Sequence, residues 1–207
     1  MDFQNLLTFS LFTLGLALSP GPDNIFVLTQ SMARGARTGI AISSGLITGC
    51  IFHTTLVALG FAVVIRDNEW LLWTIKLLGA GYLLFLAYQV YRSDASIDLQ
   101  AETEADKSLW EFYRIGVVMN VLNPKVTLFF LAVLTGFVQP NQKPAEWIQI
   151  FVLGGIFMAV SLFVFYAISF LAGKVSRFIK TARGFSSVMK WLQILVFLAI
   201  VAMLLFF

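Results

Sequence analysis

Four ionisable residues, Asp23, His53, Lys76 and Lys125, stand inside otherwise apolar stretches of this sequence, and two of them adjoin prolines. A charge in hydrocarbon is costly unless it is paired, hydrated or turned inward, so each is a candidate for function. Asp23 lies in the run Leu18-Ser19-Pro20-Gly21-Pro22-Asp23-Asn24, and Lys125 closes Asn123-Pro124-Lys125. Each proline lacks a backbone N–H and clashes with the carbonyl four residues back, so a helix entering either motif must break. A break leaves free carbonyls on one side, suited to a cation. On the other it leaves free N–H groups and a positive dipole end, suited to an anion. A carboxylate at one break and an ammonium at the other complement a zwitterion. Two readings stay open. Either Asp23 and the carbonyls of the first break meet a substrate ammonium, while Lys125, Asn123 and the N–H groups of the second meet its carboxylate; or Asp23 and Lys125 pair with each other and only fix helix packing.

His53 sits on the stripe Ala41, Gly45, Gly49, His53, spaced four apart on one helix face. An imidazole exchanges protons near neutral pH, which makes His53, with Asp23, a candidate for proton coupling; the alternative is a histidine hydrogen-bonding across a helix interface. Lys76, near Trp73, has a stem long enough to carry its ammonium to the headgroups, against a role in a pathway. Ser19, Asn24 and Gln30 are polar neighbours of the first break, able to line a cavity or to cap helices. Phe130, one turn past Asn-Pro-Lys, is a candidate gate.

The elements that must hold these groups follow from composition. The 207 residues are 59% hydrophobic, 15% aromatic and only 12% charged, with mean hydropathy +0.86, an integral membrane composition. Six apolar segments are expected at roughly 3–31, 39–65, 69–91, 111–138, 146–173 and 188–207, each long enough to cross the hydrocarbon. No Lys or Arg precedes the first, so it reads as a span from about Phe3 and not as a cleaved signal peptide. Arg34, Arg37, Arg92, Lys107, Arg114, Lys174, Arg177, Lys180, Arg183 and Lys190 fall in one set of loops, against Arg66 and Lys143 in the other. The first set therefore faces the cytoplasm, and both termini face outward. The polar stretch of about 92–109, with Asp94, Asp98, Glu102, Glu104 and Asp106, reads as a linker between halves at about 1–91 and 110–207. Three segments per half is odd, so the second half enters inverted, with the first helix of each half broken at proline. Lys174, Arg177, Lys180 and Arg183 recur every third residue and read as a short amphipathic surface helix held by anionic headgroups; nucleic acid is excluded by so short a patch beside the bilayer. Gly79-Ala80-Gly81 and Gly154-Gly155 are expected sites of close helix packing.

The Leu-Ser-Pro-Gly-Pro-Asp-Asn run, the Gln30…Arg34-Gly35…Gly39 turn into Gly45-x-x-x-Gly49, and Asn123-Pro124-Lys125…Phe129-Phe130 resemble the LysE/RhtB family of bacterial amino-acid exporters over nearly the whole chain. The chain departs at Thr135-Gly136-Phe137, where many members carry Pro-Gln before the Phe, which leaves the exported molecule open. The resemblance implies export of amino acids or related small zwitterions across the bacterial inner membrane, driven by the proton gradient. The candidate substrate site, read from the two breaks, is Ser19, Pro20, Gly21, Pro22, Asp23 and Asn24 with Asn123, Pro124 and Lys125. An enzyme would need a nucleophile or metal cluster, and the chain has one His and one Cys. A cation exporter would have a single intramembrane carboxylate to offer, too few ligands for a hard cation. A passive channel would need a helix polar along one whole face. No cofactor is expected. A homodimer through a small-residue face is compatible with the chain's size and glycine content.

Overall fold

The computed structural model describes residues 1–19, 21–60, 68–92, 107–140, 142–181 and 185–206, and these are helical with short connections. In order they form α1 (Phe3–Leu18), α2 (Pro22–Arg34), α3 (Ala36–Gly60), α4 (Glu69–Arg92), α5 (Leu109–Val121), α6 (Pro124–Leu128), a π-helix (Phe129–Leu134), α7 (Glu146–Thr181) and α8 (Phe185–Phe206). Among the described residues, three helices are long and apolar enough to cross a membrane, or up to five spans if each bent pair is counted as one. The bent pairs are α1–α2, turned by 58°, and α5–α6 with the π-helix, turned by 49°. These are the two proline motifs.

Local chemistry accounts for the boundaries. Asp2 caps α1 through the Asn5 N–H, and Ser108 and Glu111 form a reciprocal capping box on α5. Pro22 and Pro124 each stand at the first helical position, where a missing N–H costs nothing. Gly35 joins α2 to α3 at φ 91°, a conformation open to glycine. Asp2 also accepts from Gln139 Nε2; the Asn5 N–H, then Gln139, hold its carboxyl below the usual range. This clasp therefore adds stability above ordinary carboxylate pKa values and loses it as pH falls through the lowered one.

Two expectations change. The apolar span of α7 ends at Ala172, close to the expected 173, but the helix itself continues to Thr181. With no proline to end it, the helix runs on past the apolar span Glu146–Ala172, so the stretch from Lys174 continues α7 instead of starting a separate surface helix. Lys174 is exposed; the side chains of Arg177 and Lys180, and all of Arg183, lie outside the described residues. Among the glycine clusters, Gly79 faces Ala132 and Gly154 faces Thr54 too closely for a methyl group, whereas Gly81 and Gly155 face open space.

The bundle has an aromatic core towards the termini, where Phe9 meets Phe137 at 5.2 Å and Phe157 meets Phe130 and Phe129 at 4.9 and 5.2 Å. A smaller core of Val27, Ile42, Leu46, Phe112 and Phe165 lies towards Gly35. Both termini are at one end: Met1 donates its ammonium to Lys143 O, and Asn5, Phe137 and Phe206 line one cleft.

Gln149, fully buried on α7, holds the connection after the π-helix. Its Nε2 donates to Gln139, Gln142 and Pro144 carbonyls at 3.0, 3.2 and 2.8 Å, and its Oε1 accepts from the Gln139 N–H at 2.9 Å. Gln149→Leu leaves these groups unpaired and is expected to cost about 2 kcal/mol or more, read as a lowered Tm of the protein in detergent.

Candidate functional site at the two helix breaks

At the first break, α1 ends with the Ser19 N–H shared between Gly15 O and Leu16 O, and the carbonyls of its last turn keep acceptor capacity that no further helical donor fills. Two side chains take them. Asn24 Nδ2 donates to Ala17 O at 2.7 Å, and Lys125 Nζ reaches from the second break to Leu16 O and Ser19 O, 3.4 Å each. Lys125 also lies over the Phe197 ring, 5.5 Å from its centroid. The carbonyls at the end of α1 are thus occupied by the protein's own ammonium.

The breaks are joined by Asn123. Its Nδ2 donates to Asp23 Oδ2 at 2.8 Å, while its Oδ1 accepts the Lys125 backbone N–H and so caps α6. Asp23 stands in the first turn of α2, where the helix N-terminus favours a negative charge. It is 8% exposed. Gly21 lies beside Lys125, with room of 3.6 Å between its missing Cβ and Nζ. Ser19 is buried and its hydroxyl has no partner among the described residues; Pro20 lies outside them.

His53 joins the second break from α3. Its Nε2 is 3.1 Å from Asn120 O, and since a carbonyl only accepts, the proton is on Nε2 and Nδ1 is left free in the neutral ring. The ring packs against Phe130 at 5.7 Å, and Phe130 is fully buried in the π-helix. Such helices often mark functional segments. Lys76 and Gln30 are not drawn in. Lys76 lines the cleft near the termini, above Trp73, and Gln30 is buried in α2.

Asn120 is the site residue that motif reading passes over. It is buried at the end of α5, receives Cys50 Sγ on Oδ1 at 3.7 Å and His53 on its carbonyl. The available signal was an Asn one turn before Asn123 in an apolar helix. Asp23, Asn24, Asn120, Lys125 and, from α7, Ser161 line a cavity of about 30 Å³. That has room for a water molecule or two and not for an amino acid.

The chain is similar to the homoserine/homoserine lactone efflux protein of Salmonella typhimurium, 29% identical over 87% of this chain and 86% of the relative. It is similar to the leucine efflux protein of Salmonella choleraesuis, 26% identical over 89% and 86%, and to an uncharacterized membrane protein of Vibrio cholerae, 26% identical over 87% of each. No solved structure matches it significantly. The family model for LysE type translocators matches residues 14–206, a span that takes in both proline breaks and the cavity between them, and the chain belongs to that family.

Proposed function

We propose that this protein is a secondary transporter that exports small amino acids from the cytoplasm in exchange for protons. The observation that carries the reading is the Asn123–Asp23 hydrogen bond of 2.8 Å, with Lys125 set into the carbonyls of the opposite break. It puts an anionic and a cationic partner for a zwitterion around one buried cavity. The names of the efflux relatives support the same substrate class.

In this mechanism the closed form pairs the protein's groups with one another. An entering amino acid takes over those contacts: its ammonium replaces Lys125 at the Leu16 and Ser19 carbonyls and meets Asp23, and its carboxylate receives Lys125 Nζ, the first-turn N–H groups of α6 being held by Asn123 itself. A carboxylate holds either an ammonium or a proton, so competition at Asp23 links export to proton entry. Phe130, against His53, separates the chamber from the end that carries the termini. The topology is six spans in two inverted halves of about 1–91 and 110–207, in the inner membrane. The basic loops face the cytoplasm and both termini face outward. Lys174 and its basic neighbours bind anionic lipid.

Purified protein in proteoliposomes loaded with labelled amino acids is expected to release them faster when the outside is made acid. Release of no amino acid removes the export reading, and release indifferent to the gradient removes proton coupling. His53→Gln keeps a donor for Asn120 O and loses the titrating nitrogen. It is expected to retain counterflow exchange while its response to the gradient falls about tenfold; full retention of both removes His53 from the coupling path.

A further inference from the structure

Six buried or half-buried hydroxyls inside the helices of this protein bond to their own backbone. Ser31, Ser43, Ser44, Thr48, Thr54 and Ser169 each donate to the carbonyl four residues back, at 2.6–2.9 Å. Ser161, in the middle of α7, does not. It is 2% exposed, its Oγ has no partner among the described residues, and it lines the cavity that holds Asp23, Asn120 and Lys125. The Thr13 and Ser19 hydroxyls are also unpartnered, but neither residue lines that cavity. A buried hydroxyl that forgoes the carbonyl of its own helix is unsatisfied until something enters beside it.

Resting on the export reading above, we propose that Ser161 Oγ binds the side chain of the transported amino acid. The site would then select a short side chain bearing a hydroxyl over its isostere without one. With the substrate ammonium at Asp23 and its carboxylate at Lys125, the side chain is left the remaining walls, where Ile47, Phe157 and Phe165 supply apolar surface and Ser161 the polar group. A purely aliphatic side chain seals the Ser161 hydroxyl away unpaired. A side-chain hydroxyl satisfies Ser161 and is satisfied by it, and a site built on such a bond discriminates against the analogue that lacks the group. The phenyl rings of Phe157 and Phe165 limit the chain to a few atoms.

Homoserine and norvaline, equal in length and differing in a terminal hydroxyl against a methyl, are the probes, with efflux of each measured from proteoliposomes holding the full chain. Wild-type protein is expected to export homoserine with kcat/KM at least about tenfold above norvaline. Ser161→Ala is expected to bring that ratio within about twofold of unity, with unfolding temperature unchanged because the substitution removes an unpaired group. Ser161→Thr, which keeps a hydroxyl, retains the preference. A wild-type ratio near one, or the same ratio in wild type and Ser161→Ala, overturns the assignment and leaves amino-acid export standing. Efflux of neither compound nor any other amino acid by wild type overturns export itself, and this inference with it.

Discussion

Lys125→Met is expected to abolish export, by at least about 100-fold, and to weaken the fold; Asp23→Asn is expected to abolish export equally while leaving the fold nearly intact. The asymmetry follows from the contacts. Removing the lysine leaves Ser19 O without its donor, Leu16 O with only the Ser19 N–H, and Asp23 with one hydrogen bond in a buried place. Stranding a buried charge in this way costs about 3–5 kcal/mol. At position 23, asparagine still accepts from Asn123 and leaves Lys125 on its two carbonyls, so about 1 kcal/mol is at stake. In the proposed mechanism transport depends on charge that must change partners, so both variants are expected to lose it; 100-fold corresponds to about 2.7 kcal/mol. Initial efflux rates and the Tm of each variant in detergent check this. Export by Asp23→Asn within about threefold of wild type would take the carboxylate out of the transport step. Restoration of both yield and export in a charge-swapped Asp23→Lys, Lys125→Asp double variant would show the two residues to be a structural pair and nothing more.

The second large effect is expected where α3 meets α5. A Cβ on Gly45 would collide with the carbonyl oxygen of Tyr113, and one on Gly116 with that of Ile42, so each glycine admits the other helix's backbone. One turn along, Gly49 faces Asn120 with 2.7 Å to its Cβ and Oδ1. The obstacle is main chain inside a helix, which does not give way as a side-chain tip does, so the helices must part. Gly45→Val is therefore expected to cost about 3 kcal/mol or more, a fall in Tm of roughly 10 °C, and to break the His53–Asn120 contact, which spans this seam. Gly81→Val, set in open space, is the control and should leave Tm within about 2 °C. Equal stability of the two variants would mean that the seam does not hold the bundle together.

Membrane character, the two breaks and the small-residue stripe of α3 were legible from residues alone, for one physical reason. Each is set by groups close together in sequence: a run of apolar residues, a proline without its N–H, glycines returning every fourth position. Pro22 and Pro124 start helices wherever those helices lie, and Asn123 caps its own helix by a bond to the second residue after it. Other features had no such local cause. Lys125 settles in carbonyls more than 100 residues away, and Asn123 bonds Asp23 100 residues away. His53 finds the carbonyl of Asn120, and Gln149 gathers a loop from both sides. Gly79 is pressed against a neighbour while Gly81, two residues on, is not. The π-helix at Phe129–Leu134 carries no proline, glycine or cap to announce it. These depend on the angle and depth at which whole helices cross, which the summed packing of many side chains decides. The sequence by itself determined which groups would be left unpaired at the breaks; only the tertiary structure decided which partners they take, because that choice is made by distance in space and not along the chain.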